Sequence, residues 1–196
     1  MRHKGLSPTM AKWHTHVNHV QASPSMADWL SNRDSLTERL MARSTHFRVQ
    51  RLYQGRGICL QDEFAEVQLH SAKQVMEREV LLRCDEVPVV YAHTVLPLHA
   101  NAQQWPLFAS LGNRSLGTTL FSDPLVQRGD LSYARLRPAH PLMRRIAKLA
   151  LFELTEPYLL ARRSIFMRRG AKLLVTEVFL PAIRNLNVNA ESRNQE

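Results

Sequence analysis

The sequence predicts an α+β domain, with one antiparallel sheet of about six strands and helices over one face of it. Two hairpin patterns, two capped helix starts and a run of period-two apolar alternation lead to this class. VMEREVLLRC (75–84) and VVYAHTVLP (89–97) flank the turn DEVP, and LLARRSIFMRR (159–169) and KLLVTEVFLP (172–181) flank a turn at Gly170. Such pairs read as antiparallel hairpins.

The elements follow in chain order. SPSMADWL starts a helix, with Ser23 as N-cap and Pro24 at the first helical position. SLTERLMARS starts a second, where Ser35 and Glu38 fit the S-x-x-E capping box. FRVQRLYQG (47–55) alternates like a strand, and the first hairpin follows it. WPLFASLGNRSLGTTLF (105–121) reads as short helices broken near Gly112, with Ser115 capping the second. LSYARLRP (131–138) is a further strand and HPLMRRIAKLALFEL (140–154) a helix. The second hairpin closes the pattern. Residues 23–183 form one unit without repeats, between flexible segments at 1–22 and 184–196.

Bulk properties bound the function. A chain of 196 residues with 44% apolar content builds one sizeable core. No run reaches the roughly 18 apolar residues that span a bilayer. Arg2 and Lys4 are not followed by an apolar stretch, so no signal-peptide pattern is read and a cytoplasmic location is expected. Cys59 and Cys84 form no CxxC pair and read as small apolar side chains, outside any disulfide or thiolate metal site. His14, His16 and His19 look like a metal-site fragment, but no carboxylate or cysteine run accompanies them, so no metal site is expected. The net charge of +9 favours anionic partners, either nucleic acid or an anionic metabolite. No RNA-binding aromatic signature or helix-turn-helix supports nucleic acid.

Two strands carry charges among apolar neighbours. Leu173, Val175, Glu177 and Phe179 share one strand face, and Arg78, Val80 and Leu82 share another. An unpaired buried charge costs several kcal/mol in practice. The two charges therefore meet each other, meet a ligand, or stand on open faces. A closed pocket with one cation and one carboxylate suits a small anion bearing a hydroxyl at its far end, because arginine grips a carboxylate through parallel hydrogen bonds. Leu36 and Leu116 follow serines at two helix starts, where backbone N–H groups lack intrahelical partners and favour anions. Arg162 and Arg163 face opposite sides of a strand, so one of them is available to add positive potential to such a site.

Taken together, the chain resembles the chorismate pyruvate-lyase family. The resemblance rests on DWL (28–30) with DSLTERL (34–40), REVLL (78–82) with AHTVLP (92–97), LGNRSLGTTLF (111–121), and ARRSIF (161–166) with LLVTEVFLPA (173–182). It covers residues 24 to 183. It implies a monomeric α+β fold with a buried ligand site. It implies cleavage of chorismate to 4-hydroxybenzoate and pyruvate, the first committed step of ubiquinone synthesis, without metal or organic cofactor. The family's ligand contacts fall on Arg78, Glu177 and the backbone N–H groups of Leu36 and Leu116, with Arg78 and Glu177 as catalytic residues. His93 stands where the family commonly has an arginine near the ligand, and is expected beside the substrate with its positive charge lost if neutral. Leu160 replaces a tryptophan, and GAK (170–172) replaces a glycine-proline turn.

The fold class also resembles the effector-binding domains of certain bacterial transcription regulators, which bind small molecules and catalyse nothing. About 23 residues precede the first helix, too few for the winged helix-turn-helix that usually accompanies such domains. A non-catalytic module for an aromatic carboxylate is the alternative reading, and a nucleic-acid-binding protein, resting on charge alone, the third.

Overall fold

The computed structural model describes residues 9–100, 103–106, 108, 111–153 and 155–186. Among the described residues there are seven strands and four α-helices, in the order α1 (Pro24–Ser31), α2 (Leu36–Met41), β1 (Phe47–Ile58), β2 (Gln74–Cys84), β3 (Val87–Pro97), α3 (Leu116–Ser122), β4 (Val126–Arg128), β5 (Ser132–Leu136), α4 (Pro141–Lys148), β6 (Leu159–Arg168) and β7 (Ala171–Phe179), with short 3-10 turns at Val17–Val20 and Pro181–Arg184. The strands make one antiparallel sheet in the order β1-β2-β3-β7-β6-β4, with β5 also paired to β6. Both expected hairpins are present. The expected α+β class holds, with one strand more than the sequence suggested.

Local chemistry fixes the helix starts. The Ser23 hydroxyl accepts from Met26 N–H at 3.4 Å, with Pro24 in the first turn of α1. Ser35 accepts from Glu38 N–H at 3.3 Å at the start of α2. The His140 ring accepts from Leu142 N–H at 3.2 Å and so caps α4, a role usually taken by a shorter side chain. Helix α4 stops at Lys148, well before the expected end, because Ala150 takes the left-handed conformation (φ 49°).

Alternation divides the sheet into two faces. Val80, Leu82, Val90, Ala92 and Phe179 lie with α1 and α2 in one apolar cluster. Leu81, Tyr91, Ala161 and Val178 lie with α4 in another, so helices cover both faces of the sheet and not the single face expected. Leu116 and Leu120 of α3 pack on Phe166 and Leu173, extending the first layer. Cys59 and Cys84 are both buried and free, and burial pushes the Cys59 thiol up to about 12.

Residues 9–22, within the segment expected to be flexible, make contacts with the rest of the fold. His14 exchanges backbone hydrogen bonds with Tyr133, both at 2.8 Å. Trp13 donates to Asp62 and lies under the Arg163 guanidinium, 4.1 Å from ring centroid to carbon. The calls on residues 1–8 and 187–196 lie outside the described residues.

Trp29 anchors α1. It is fully buried, and the Arg39 guanidinium stacks 4.2 Å from its ring centroid. Trp29→Ala should cost about 3–5 kcal/mol of stability, seen as a lower urea midpoint with an unchanged m-value.

Candidate active site

Register brings the charged residues together. Pairing places Arg78 opposite Thr94, Thr94 opposite Val175, and Val175 opposite Ser164. One step along the same face, Val80, Ala92, Glu177 and Arg162 form the next row. These rows floor a cavity roofed by the first turns of α2 and α3 and by β4. It holds about 580 Å³ of empty space, part of it open to solvent, which is within the range of small-ligand sites.

Arg78, Glu177, Leu36 and Leu116 all line this cavity. Arg78 is 2% exposed. Its Nη2 donates to the carbonyls of Gly112 (3.0 Å) and Arg114 (2.9 Å), while its Nε has no hydrogen-bond partner among the described residues. Gly112 sits at φ 54°, a conformation that suits glycine and turns its carbonyl into this cradle. Burial, with the charge of Arg51, pulls the Arg78 pKa down to about 10, so it remains a cation at neutral pH. Among the described residues no carboxylate pairs with it.

Glu177 does have a partner. Arg162 Nε donates to its Oε2 at 2.5 Å. Arg162 Nη1 also donates to the carbonyls of Trp29, Leu30 and Asn32 at 2.7–3.3 Å. One guanidinium thus ties β6 to β7 and satisfies carbonyls at the C-terminal end of α1. Glu177 Oε1 keeps no hydrogen bond from a described residue.

The two roofing helices meet at their starts. Thr37 Oγ1 and Ser115 Oγ lie 2.6 Å apart. Ser115 is the N-cap of α3, but its side chain makes no capping bond and serves this link instead. Gly117 permits the approach, since a Cβ there would come within 2.8 Å of Thr37 Oγ1. The N–H groups of Leu36 and Leu116, in the first turns, have no intrahelical acceptor.

His93 lies elsewhere. Its neighbours Ala92 and Thr94 line the cavity, and alternation turns its ring to the opposite face. There it is fully buried, 3.2 Å from Glu63 and 3.7 Å from Glu79. Arg145 joins Glu77 (3.3 Å) and Glu79 in the same layer. Burial acts to lower the His93 pKa, but the charges of Glu63 and Glu77 outweigh it and raise it. The position beside the substrate expected from sequence is therefore corrected: His93 faces the opposite layer. Arg163 points to this face too, bonding the Asp62 carbonyl and Glu66, both at 2.7 Å. Of the arginine pair, Arg162 faces the cavity.

Sequence reasoning missed Thr37, Ser115, Ser164 and Arg128 as cavity residues. Ser164 was findable, since it stands two residues from Arg162 on the same strand face. Arg128 belongs to a strand of three residues, too short to leave a periodic signal.

The chorismate lyase family model matches residues 7–188. A relative from Ralstonia nicotianae named "Probable chorismate pyruvate-lyase" is 45% identical over 184 residues, covering 92% of this chain and 89% of its own. One of the same name from Cupriavidus metallidurans is 44% identical over 172 residues, covering 87% and 80%. Among solved structures, the effector domain of PhnF from Mycobacterium smegmatis aligns with a TM-score of 0.51 at 19% identity, covering 76% of this chain and 90% of that one. The C-terminal domain of the histidine utilization repressor from Pseudomonas syringae aligns at 0.52 and 12% identity, covering 70% and 93%. At such identities the likeness concerns the fold alone.

Two outcomes follow from these contacts. Arg162→Met should cost about 3 kcal/mol in urea unfolding, because it removes the cation from the partly buried Glu177 carboxylate and a donor from the carbonyls of residues 29–32. His93 has a folded pKa above its unfolded value. Its contribution is therefore fully present below about pH 6.5 and is lost as pH rises through the folded pKa. Unfolding free energy should fall with rising pH in that window, by at most about 1.4 kcal/mol per pH unit from this group, and His93→Asn should remove that part of the slope.

Proposed function

We propose, since this chain belongs to the chorismate lyase family, that it cleaves chorismate to 4-hydroxybenzoate and pyruvate. The observation that carries the reading is the meeting of Arg78, Glu177, Leu36 and Leu116, from four separate elements, around one cavity. The reading includes the first committed step of ubiquinone synthesis, a monomeric chain and a cytoplasmic location. Among the described residues no helix is long and apolar enough to cross a membrane.

Chorismate carries a ring carboxylate at C1, an enolpyruvyl ether at C3, and a hydroxyl and a hydrogen at C4. Loss of the C4 proton supplies the electron pair for the new C3–C4 double bond, and the C3–O bond breaks. Those electrons leave on the ether oxygen, whose carbonyl forms as the side-chain methylene takes a proton to become pyruvate. The elimination is redox-neutral and gains aromaticity, so the proposal includes no cofactor. The protein's task is placement and charge compensation.

In this reading Arg78 grips the ring carboxylate with the guanidinium nitrogens that the Gly112 and Arg114 carbonyls leave free. The N–H groups of Leu36 and Leu116 hold ligand oxygens. Glu177, fixed through Oε2 by Arg162, offers Oε1 to the C4 hydroxyl. Its rigid pairing favours an orienting role, with the proton passing within the substrate. A fold shared with effector domains supports one other reading, binding without turnover.

Incubation of the purified chain with chorismate should yield 4-hydroxybenzoate and pyruvate in equal amounts, well above an enzyme-free control. Arg78→Ala should lower kcat/KM at least about a hundredfold, as expected for removal of a charged hydrogen-bonding group. A folded chain that binds 4-hydroxybenzoate yet releases neither product would establish binding without turnover. Glu177→Gln should retain kcat within about tenfold while KM rises. A loss of 10²–10⁴ in kcat, the usual range for general acid–base catalysis, would instead assign the proton transfer to Glu177.

A further inference from the structure

Arg128 brings a second cation without a carboxylate partner to the cavity. It ends β4 and lines the cavity from the side opposite Arg78 in strand order. Its Nε donates to Ser164 Oγ at 3.0 Å and its Nη1 to the Arg33 carbonyl at 2.7 Å. Its guanidinium carbon lies 5.4 Å from the ring centroids of Phe121 and Phe166. Among the described residues Arg128 forms no ion pair, and the nearby carboxylate, Glu177, is held by Arg162. Burial pulls the Arg128 pKa down to about 10, which leaves it charged at neutral pH.

Charge balance shows what is missing. The residues lining the cavity include three arginines (Arg78, Arg128, Arg162) and one glutamate (Glu177), a net charge of +2. Holding such charge in a partly desolvated space is costly unless an anion compensates it. A monoanion leaves one cation unmatched, whereas a dianion matches both. The order of the groups matters as well. Across the sheet Arg78 stands on β2, Glu177 on β7, and Ser164, which holds Arg128, on β6. Three strand spacings, roughly 14 Å, separate the backbones of Arg78 and Ser164. A ring with its C1 carboxylate at Arg78 and its C4 hydroxyl at Glu177 carries its C3 substituent, next to C4, at the end of the cavity nearer Arg128.

We propose that Arg128 receives the carboxylate of the enolpyruvyl side chain, a contact that the monoanionic aromatic product lacks. The assignment rests on the lyase reading for the identity of the substrate. Arg128 is then a substrate-contacting residue, and cleavage itself removes its partner from the ring: 4-hydroxybenzoate keeps the contact with Arg78 and has nothing to offer Arg128.

Three ligands and two variants test this on the full chain. The ligands are 4-hydroxybenzoate, the aromatic dianion 3-(1-carboxyvinyloxy)-4-hydroxybenzoate, which has no aromatisation left to drive cleavage, and the side-chain amide of that dianion. The wild type should bind the dianion at least about tenfold tighter than the amide. Arg128→Gln should lose about ten- to hundredfold for the dianion, the size of one charge-assisted contact, and abolish that preference. Its affinity for 4-hydroxybenzoate should stay within about threefold. Arg128→Lys, which keeps the charge, should show a smaller loss confined to the dianion. Equal losses for all three ligands would make Arg128 a support of the Arg33 segment and overturn the assignment. So would a wild type that does not distinguish dianion from amide, an outcome that needs no variant. Cleavage of chorismate by the wild type checks the lyase reading separately. No turnover with the dianion preference intact would remove the reaction and leave the carboxylate site standing.

Discussion

The Arg162–Glu177 pair is the contact on which the cavity is built. Arg162 is 1% exposed and so cannot keep its charge through water. It is satisfied instead by the Glu177 carboxylate and by three carbonyls from residues 29–32. That arrangement fixes where α1 ends, and hence where the chain turns into α2 and presents Leu36. A buried pair of this kind gains little net stability over apolar packing, since desolvation offsets most of the attraction. Its value lies in geometry: one planar group holds a helix end, two strands and a carboxylate in a single relation. An apolar replacement would fill the space and leave Glu177 free to turn.

The two faces of the sheet use charge differently. Toward α2 and α3, Arg78 and Arg128 have backbone and hydroxyl acceptors but no carboxylate. Toward α4 and residues 59–69, charges of both signs are present: Arg145 with Glu77 and Glu79, Arg163 with Glu66, His93 beside Glu63. In the second layer each arginine has a carboxylate partner within the protein. The first needs something from outside. The overall charge of +9 gives no such distinction, because it sums over groups whose local balance differs.

What sequence could disclose follows the range of the interactions involved. Caps at Ser23 and Ser35 and the turn at Gly170 depend on a few neighbouring residues, and they are legible. So were Arg78 and Glu177, because a charge in an apolar alternating strand asks for a partner whatever the fold. His93 shows the limit. Its parity within β3 is plain, but which parity faces the cavity depends on the register with β2 and β7, a long-range property. Near Ala150 the chain carries no glycine or proline to announce the end of α4. Residues 9–22 look like a polar lead until Trp13 is seen against Arg163 and Asp62, more than 45 residues away in sequence.

Position of charge also bears on how such a site would turn over. A cavity with a net +2 that favoured every anion equally would hold a product as firmly as a substrate, and release would then limit the rate. Dividing the positive charge between Arg78 at one end and Arg128 at the other changes that. A ligand reaching both ends is compensated in full, and one that has been cut in two leaves each fragment with a single cation. The aromatic fragment still has Arg78, whose two carbonyl acceptors keep it oriented in the empty site. It no longer has the second contact, and the other fragment no longer has the ring contacts. If Arg128 takes the side-chain carboxylate, separation of the two arginines across the sheet means that bond cleavage removes one of the two charge contacts without any movement of the protein.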